Sequence, residues 1–233
     1  QYGEKALDKL RGMFGFAVWN EKEQTLMLAR DFFGIKPVYY AEIDGHFVFA
    51  SEIKSILAFP GYERKVNQKA LEQYLSFQYS PLEETFFKGI YKLMPGHMLL
   101  YKNGNYEIKT YFKTKLTPGK WNRKTNMDQL RSQLAEILKD SVKHHMLSDV
   151  EVGAFLSGGV DSGYLASASG ADQAFTVGFD EGDRYSEVNK AAKVAEKAGL
   201  KHHVKIISKQ EFWDALPDVM YHMDEPLGDA SAV

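Results

Sequence analysis

The sequence predicts two domains of different fold class, an α+β domain followed by an α/β domain with a parallel sheet. Up to residue 113, short apolar runs alternate with polar residues and are joined by hairpin turns, which favours stacked antiparallel sheets. Residues 114–125 are polar and basic around Pro118-Gly119, a pattern typical of a linker. From residue 126 onward, apolar strands alternate with segments of helical period, as in a parallel sheet with helical crossovers. We therefore expect domains at residues 1–113 and 126–233.

Turn and cap residues locate the elements of the first domain. Asp44-Gly45 and Asn103-Gly104 each stand between two strand-like runs and predict two-residue hairpins, because these residue types tolerate a positive φ. Asn67 is placed to cap a helix that runs to about residue 77. The expected strands cover residues 13–19, 25–30, 38–43, 46–50, 98–102 and 106–108.

The second domain shows helix-start signals between its strands. Thr125 and Asp128 are spaced as a capping box at the start of a long amphipathic helix, and Ser208 and Glu211 are spaced as another. Ser186 is expected to start a helix between these two. The expected strands cover residues 152–156, 174–179 and 203–207.

Composition describes an ordinary globular protein, with 44% hydrophobic and 26% charged residues. The net charge of −2 offers no basic excess for nucleic acid, so we expect no nucleic-acid partner. No cysteine is present, which excludes disulfides and a cysteine nucleophile within this stretch and fits a cytoplasmic location. No apolar run approaches a membrane span, and we expect no membrane association. The first residues look like a helix already under way, so we expect an internal piece of a longer chain.

A glycine loop lies where the second domain passes from its first strand to a helix, with the sequence Ser157-Gly158-Gly159-Val160-Asp161-Ser162. Ligands bind at such strand ends in open α/β sheets. The two glycines permit positive φ and a close backbone approach to an anion, and the helix-start amides and serine hydroxyls supply donors. A carboxylate beside a polyphosphate would repel it unless a cation intervened. Asp161 therefore indicates Mg²⁺ bound through pyrophosphate.

An ordinary strand-to-helix turn is the alternative, because Gly and Ser are common in turns. An isolated Gly-Gly would favour that interpretation. All six residues together at a strand-to-helix junction favour phosphate binding.

The loop resembles the signature of the ATP pyrophosphatase superfamily, whose members cleave ATP between its α and β phosphates. Segments around it, at residues 147–150, 153–156, 175–179, 186–187 and 202–203, resemble the synthetase domain of glutamine-dependent asparagine synthetases. The resemblance implies an adenine nucleotide α-hydrolase-like fold, with Leu156 and Val177 lining the adenine and ribose pocket. A core role is the alternative for both. The implied ATP and pyrophosphate site consists of Leu156, Ser157, Gly158, Gly159, Val160, Asp161, Ser162, Val177 and Gly178.

Segments of the first half resemble the same family independently. Residues 11–17, 30–40, 49–54 and 93–97 are similar to the later part of a class II glutamine amidotransferase domain. The resemblance implies an incomplete αββα sandwich of the N-terminal-nucleophile type that supplies ammonia from glutamine. The family's nucleophile is an N-terminal cysteine, and residue 1 is Gln. We therefore assign no glutaminase catalytic residue. A second, acidic phosphate-binding segment of the family is also missing from the sequence, and we expect the isolated chain to catalyse neither half-reaction.

The resemblance implies ATP-dependent asparagine synthesis through β-aspartyl-AMP, with glutamine, aspartate and ATP as substrates and a homodimer as a further expectation. The nearest alternative is a relative of the same architecture with another acceptor, such as an amidotransferase for surface polysaccharide or a cyclase of the β-lactam or lasso-peptide type. A non-catalytic scaffold is the alternative of another class, and the intact Asp161 and Ser162 argue against it.

Several other polar residues leave two interpretations open. Asp224, Glu225 and Asp229 either bind Mg²⁺ or orient the amine-bearing partner, or else belong to a plain loop after a helix. Arg30-Asp31 is interpreted as a structural ion pair or turn. The pairs His144-His145 and His202-His203 are assigned to surface or packing roles, since their spacing does not suit metal ligation.

Overall fold

The computed structural model describes residues 2–115, 126–180, 187–226 and 228–229. Its contacts divide the chain into two compact units. The first unit comprises Gln1–Leu116 together with Pro217–Val233, and the second unit comprises Thr117–Leu216. The predicted linker at 114–125 falls almost entirely outside the described residues, and the predicted domain limits stay a prediction.

Two antiparallel sheets form the first unit. A short 3-10 helix, Gly3–Lys9, precedes β1 (Gly15–Asn20) and β2 (Thr25–Arg30). The chain continues through β3 (Tyr39–Ile43), β4 (His46–Ala50), α1 (Ile53–Leu57), α2 (Gln68–Phe77), β5 (Ile90–Lys92), β6 (His97–Lys102) and β7 (Asn105–Thr110). The strand orders are β1-β2-β6-β7 and β4-β3-β5.

The core of the first unit lies between these sheets. Leu28 of β2, Tyr40 of β3 and Leu99 of β6 belong to one buried cluster, so the inner faces of the two sheets pack together. The outer face of the three-stranded sheet is covered by Ile53 and Ile56 of α1. Leu7 of the 3-10 helix packs against the outer face of the four-stranded sheet. These layers agree with the predicted α+β class.

The two predicted hairpins are confirmed. Asp44 and Gly45 have φ values of 49° and 78°, and Asn103 and Gly104 have 51° and 78°. Positive φ at both central residues matches the right-handed twist of the flanking strands. The predicted cap is confirmed too, since the Asn67 side chain accepts the amides of Lys69 and Ala70 at the start of α2.

The second unit contains a three-stranded parallel sheet, which confirms the predicted α/β character. Its described elements are α3 (Met127–His145), β8 (Ala154–Phe155), α4 (Val160–Ser169), β9 (Gln173–Phe179), α5 (Val188–Ala198) and β10 (Lys201–Ile207). The strand order is β10-β9-β8. A helix α6 (Lys209–Met223) follows, and its residues from Pro217 onward belong to the first unit.

The start of α3 differs from the prediction. Asn126 caps it, accepting the amides of Asp128 and Gln129, whereas the predicted cap Thr125 lies outside the described residues. β8 covers only two of the five predicted residues. The capping box of α6 is confirmed: Ser208 N donates to Glu211 at 2.8 Å, and Glu211 N donates to the Ser208 hydroxyl at 3.2 Å.

One face of the parallel sheet packs against α4 and α5 through a cluster of small residues around Leu156, namely Ala166, Ala174, Ala191 and Ala195. The opposite face of the sheet carries exposed apolar side chains, among them Phe155, Phe175 and Val177. Within the described ranges, no helix is long and apolar enough to cross a membrane.

Candidate functional site

The glycine loop connects the end of β8 to the start of α4. Leu156 N donates to the Phe175 carbonyl at 2.9 Å, one residue beyond the last residue of β8. Gly159 is the N-cap residue of α4, with φ −74° and ψ 166°, and no side chain caps this end. The first amides of α4 therefore face the space beyond the carboxyl end of the strand, where an anion is favoured.

Gly158 is the residue whose lack of a side chain decides the path of the loop. Its φ is +77°, and an added Cβ would lie 2.7 Å from Lys190 Cβ and 2.9 Å from Ala191 N in the first turn of α5. The loop backbone thus packs directly on α5. The expectation of positive φ is confirmed for Gly158. It is wrong for Gly159, whose φ of −74° can be adopted by any residue.

Two serine hydroxyls converge inside the loop. The Oγ atoms of Ser157 and Ser162 are 2.9 Å apart, and Ser157 N donates to the Ser162 hydroxyl at 3.3 Å. Asp161, in the first turn of α4, is exposed, and Val160 is 89% exposed. Hydroxyl, carboxylate and amide groups therefore lie together on an accessible surface.

Leu156 and Val177, which the resemblance assigns to one pocket, lie on opposite faces of the sheet. The Leu156 side chain is 2% exposed within the alanine-rich cluster, whereas Val177 is exposed on the other face. The N–H and the carbonyl of Leu156 are both paired, with the Phe175 carbonyl and the Thr176 hydroxyl. Gly178 is buried within β9.

A chain of hydrogen-bonded polar groups lies beneath the loop, and the site predicted from the sequence does not include it. The buried Thr176 hydroxyl donates to the Leu156 carbonyl at 2.6 Å and lies 2.7 Å from His202 Nε2. Thr176 is a polar residue in a buried strand, a pattern that signals a hydrogen-bond partner but not which partner. From the sequence, His202 is assigned to a surface or packing role and not to the site.

The remaining histidines have ordinary partners. His203 stacks on Phe175 and contacts the Gln173 side chain at 2.9 Å. The Nδ1 atoms of His144 and His145 each contact the carbonyl four residues earlier in α3. Over the ranges that the structure describes, no three His, Cys, Asp or Glu side chains are grouped as metal ligands.

Arg30 and Asp31 organise the turn after β2. The Asp31 carboxylate accepts four backbone amides, those of Phe14, Phe33, Ile35 and Lys36. Burial raises the pKa of Asp31, but these amides outweigh burial and hold the pKa below its usual range. The Arg30 guanidinium donates to three backbone carbonyls, those of Lys36, Leu93 and Gly34. The turn role predicted for this pair is confirmed.

Asp224 and Glu225 lie in the first unit, against lysines. Asp224 accepts the amides of Ile53 and Lys54 at the start of α1, at 2.8 and 3.2 Å, and pairs with Lys54 Nζ at 3.0 Å. Glu225 pairs with Lys92 Nζ at 3.4 Å. Burial first, and then the charge of Glu225, raise the pKa of Tyr39 to about 12. These contacts favour the structural interpretation of both acidic residues; Asp229 is exposed.

Comparison with known proteins gives a family to each half. Residues 1–112 match a glutamine amidotransferase domain family, and residues 133–233 match the asparagine synthase family. The chain is 39% identical over 237 residues to glutamine-hydrolyzing asparagine synthetase 1 of Bacillus subtilis (strain 168). The chain therefore carries segments of these two domain families, and it is similar to asparagine synthetases over its whole length.

A putative glutamine-hydrolyzing asparagine synthetase of Mycobacterium bovis is 36% identical over 242 residues. Both matches cover 100% of this chain, which spans 37% of the length of each relative. Among solved structures, an NH3-dependent NAD synthetase from Campylobacter jejuni matches with 22% identity and a TM-score of 0.28, over 37% of this chain and 40% of that one. A TM-score this low supports no statement about the fold.

Proposed function

We propose that the complete protein containing this chain is a glutamine-dependent asparagine synthetase that binds ATP at the loop of residues 157–162. The main support is the loop at the end of a parallel strand, whose backbone packs on α5 at Gly158. In the same chain, a segment that matches a glutamine amidotransferase domain precedes one that matches an asparagine synthase domain. Ammonia from the first domain would feed the second.

The proposed chemistry runs in two steps. The side-chain carboxylate of aspartate attacks the α-phosphorus of ATP, forming β-aspartyl-AMP and releasing pyrophosphate. Ammonia then attacks the β-acyl carbon, and AMP leaves with its bonding electrons as asparagine forms. The helix-start amides of α4 and the hydroxyls of Ser157 and Ser162 would bind the leaving pyrophosphate, whose negative charge grows in the first step.

The donors at the loop fit a magnesium nucleotide. Mg²⁺ prefers oxygen ligands and is held by one or two carboxylates together with substrate phosphates. The exposed Asp161 carboxylate supplies such oxygens in the same loop as the two serine hydroxyls. When bound, the ion would offset the charge of the pyrophosphate, and Asp161 is the residue of this loop that would hold it.

Product analysis tests this function. The complete protein, given Mg-ATP, aspartate and glutamine, is expected to form asparagine, AMP, pyrophosphate and glutamate in equal amounts. Asparagine should not form without ATP. If ATP is cleaved to AMP only with another acceptor, the proposed substrate is wrong, and the alternative acceptor class replaces it.

Two glycine variants test the loop as the ATP site. Gly158→Ala places a Cβ within 3 Å of α5 backbone and side-chain atoms, so we expect the KM for ATP to rise about tenfold or more. Gly170→Ala is the matched control, because Gly170 also has a positive φ, +70°, but nothing lies within 4 Å of its added Cβ. It should lower stability by about 1 kcal/mol without changing the KM. Equal ATP kinetics in both variants would place the ATP site elsewhere.

A further inference from the structure

Three polar groups form a chain across the three parallel strands directly beneath the loop. Thr176 Oγ1 lies 2.6 Å from the Leu156 carbonyl and 2.7 Å from His202 Nε2. Thr176 is only 5% exposed, and Leu156 is buried. Buried hydrogen bonds of this length are strong, and either partner left alone would carry a desolvation cost.

The proton positions in this chain follow from the chemistry of the groups. A carbonyl oxygen only accepts, so the single hydroxyl proton of Thr176 points to Leu156. The hydroxyl oxygen must then accept from His202, which requires the proton on Nε2. The ring is thereby fixed as a donor.

The Leu156 carbonyl shares a peptide plane with the first amide of the loop. Because the peptide unit is planar and trans, fixing the direction of the Leu156 C=O also fixes the direction of the Ser157 N–H. That N–H donates to the Ser162 hydroxyl at 3.3 Å. The β8 ladder ends at Phe155, so the Thr176 side chain supports the chain where regular strand pairing stops.

We propose that Thr176 and His202 are positioning residues of the phosphate loop, which orient the Leu156–Ser157 peptide so that the Ser157 amide and the two serine hydroxyls meet the phosphates of ATP. This inference rests on the proposed function. Neither residue touches the nucleotide. A core-packing role alone would not need the hydroxyl, since valine has the same shape as threonine and suits a buried strand as well.

His203 provides an internal control. It is adjacent to His202 on the same strand, but its ring stacks on Phe175 and contacts Gln173 instead of Thr176. A change at His203 perturbs the same strand and the same residue type without touching the chain of bonds to Leu156.

The experiment measures the KM for ATP in the complete protein, with the KM for glutamine in its glutaminase reaction as a control for folding. Thr176→Val should raise the KM for ATP about tenfold, as expected for one lost buried hydrogen bond, and leave the KM for glutamine unchanged. Thr176→Ser restores the hydroxyl and should stay within about twofold of the unmodified protein. His202→Leu should resemble Thr176→Val, His202→Gln should recover part of the loss, and His203→Gln should have no effect.

Equal KM values for ATP in Thr176→Val and the unmodified protein would overturn the inference. Equal losses in the valine and serine variants would do so as well, since space rather than the hydroxyl would then matter. Nitrogen-15 NMR of the unmodified protein gives an independent answer even if a variant does not fold: a His202 ring protonated on Nδ1 alone contradicts the assigned chain. An unmodified protein that does not use ATP refutes the proposed function itself, and this inference with it.

Discussion

The two units bury different kinds of side chain. The first unit fills the space between its sheets with large residues such as Leu28 and Leu99, and covers its outer sheet faces with short helices. Among the described residues of the second unit, the main buried cluster contains Leu156 together with four alanines, Ala166, Ala174, Ala191 and Ala195. Small residues bury less apolar area, but they let helix and strand backbones come closer.

This close approach matters at the loop. Ala191 is both a member of the alanine cluster and the residue whose amide would meet a Cβ at Gly158. A larger residue in the cluster would move α5 away from the loop that it supports. The comparison indicates that large buried side chains stabilise the first unit. In the second unit, small buried side chains instead keep α5 close to the loop backbone.

The polar groups of the two units also differ. The Asp31 carboxylate in the first unit accepts four backbone amides and closes a turn. In the second unit, the Thr176 hydroxyl donates a hydrogen bond to the Leu156 carbonyl, directly before the loop. We therefore expect polar substitutions in the first unit to change stability and those beneath the loop to change ligand binding.

The largest effect on stability is expected for Asp31→Ala. The side chain is 1% exposed, and its removal leaves four backbone amides without their acceptor. We expect a loss of about 4 kcal/mol in the first unit. Hydrogen exchange of peptides from each unit of the complete protein measures this loss separately. Similar loss in both units would contradict the division.

The contribution of Asp31 should depend on pH. Its folded-state pKa is below its unfolded value, so the stabilisation is fully present above about pH 4 and is lost as the pH falls through the folded-state pKa. The difference in unfolding free energy between the unmodified protein and Asp31→Asn should therefore shrink below about pH 4. A difference that stays constant on acidification would contradict the assigned role.

Features that depend on a few adjacent residues were predictable from the sequence. The Asn103-Gly104 hairpin, the Asn67 cap and the Ser208–Glu211 box all follow from short-range backbone chemistry, and all are confirmed. The α3 cap shows the limit of such signals. Thr125 and Asn126 are neighbours and both are capping residue types, so the local pattern does not fix which one starts the helix.

Contacts between distant residues were not predictable. Thr176 and His202 are 26 positions apart, and Asp224 meets Lys54 across 170. Strand register brings the first pair together, and the second depends on where α6 ends. The loop of residues 157–162 could be predicted as a phosphate-binding loop because its residue types are contiguous. The groups beneath it were missed because only tertiary structure assembles them.

The next largest losses of stability are expected for substitutions in the cores of the two units. Leu28→Ala should cost about 3 kcal/mol in the first unit, because it removes a fully buried side chain and leaves a cavity. In the second unit the sensitive change is enlargement: Ala174→Val should cost about 2 kcal/mol by overpacking against α4 and α5. Ala174→Val should also raise the KM for ATP, whereas Leu28→Ala should not. An effect of Leu28→Ala on ATP binding at constant folded fraction would contradict the comparison.

The smallest expected effects come from the two asparagine caps. Both cap the start of a helix in the same way, one in each unit, so they test the comparison directly. Asn67 accepts two amides at the start of α2, and its Nδ2 also donates to the Thr85 carbonyl at 3.0 Å within the first unit. It is 3% exposed. Asn126 accepts two amides at the start of α3 and is exposed. Asn67→Ala should therefore cost about 2 kcal/mol, one part for the cap and one for the buried carbonyl left without a donor.

Asn126→Ala should cost only about 0.5 kcal/mol, because water replaces the lost acceptor at an exposed helix start. Hydrogen exchange of peptides from α2 and α3 measures both values, and Asn→Ser at each position separates the two contributions. Serine keeps the acceptor for the helix amides but is too short to reach the Thr85 carbonyl. Asn126→Ser should thus recover nearly all of the loss at α3, and Asn67→Ser only about half at α2. Full recovery by serine at both positions would show that the cap alone matters, and that burial in the first unit adds nothing to it.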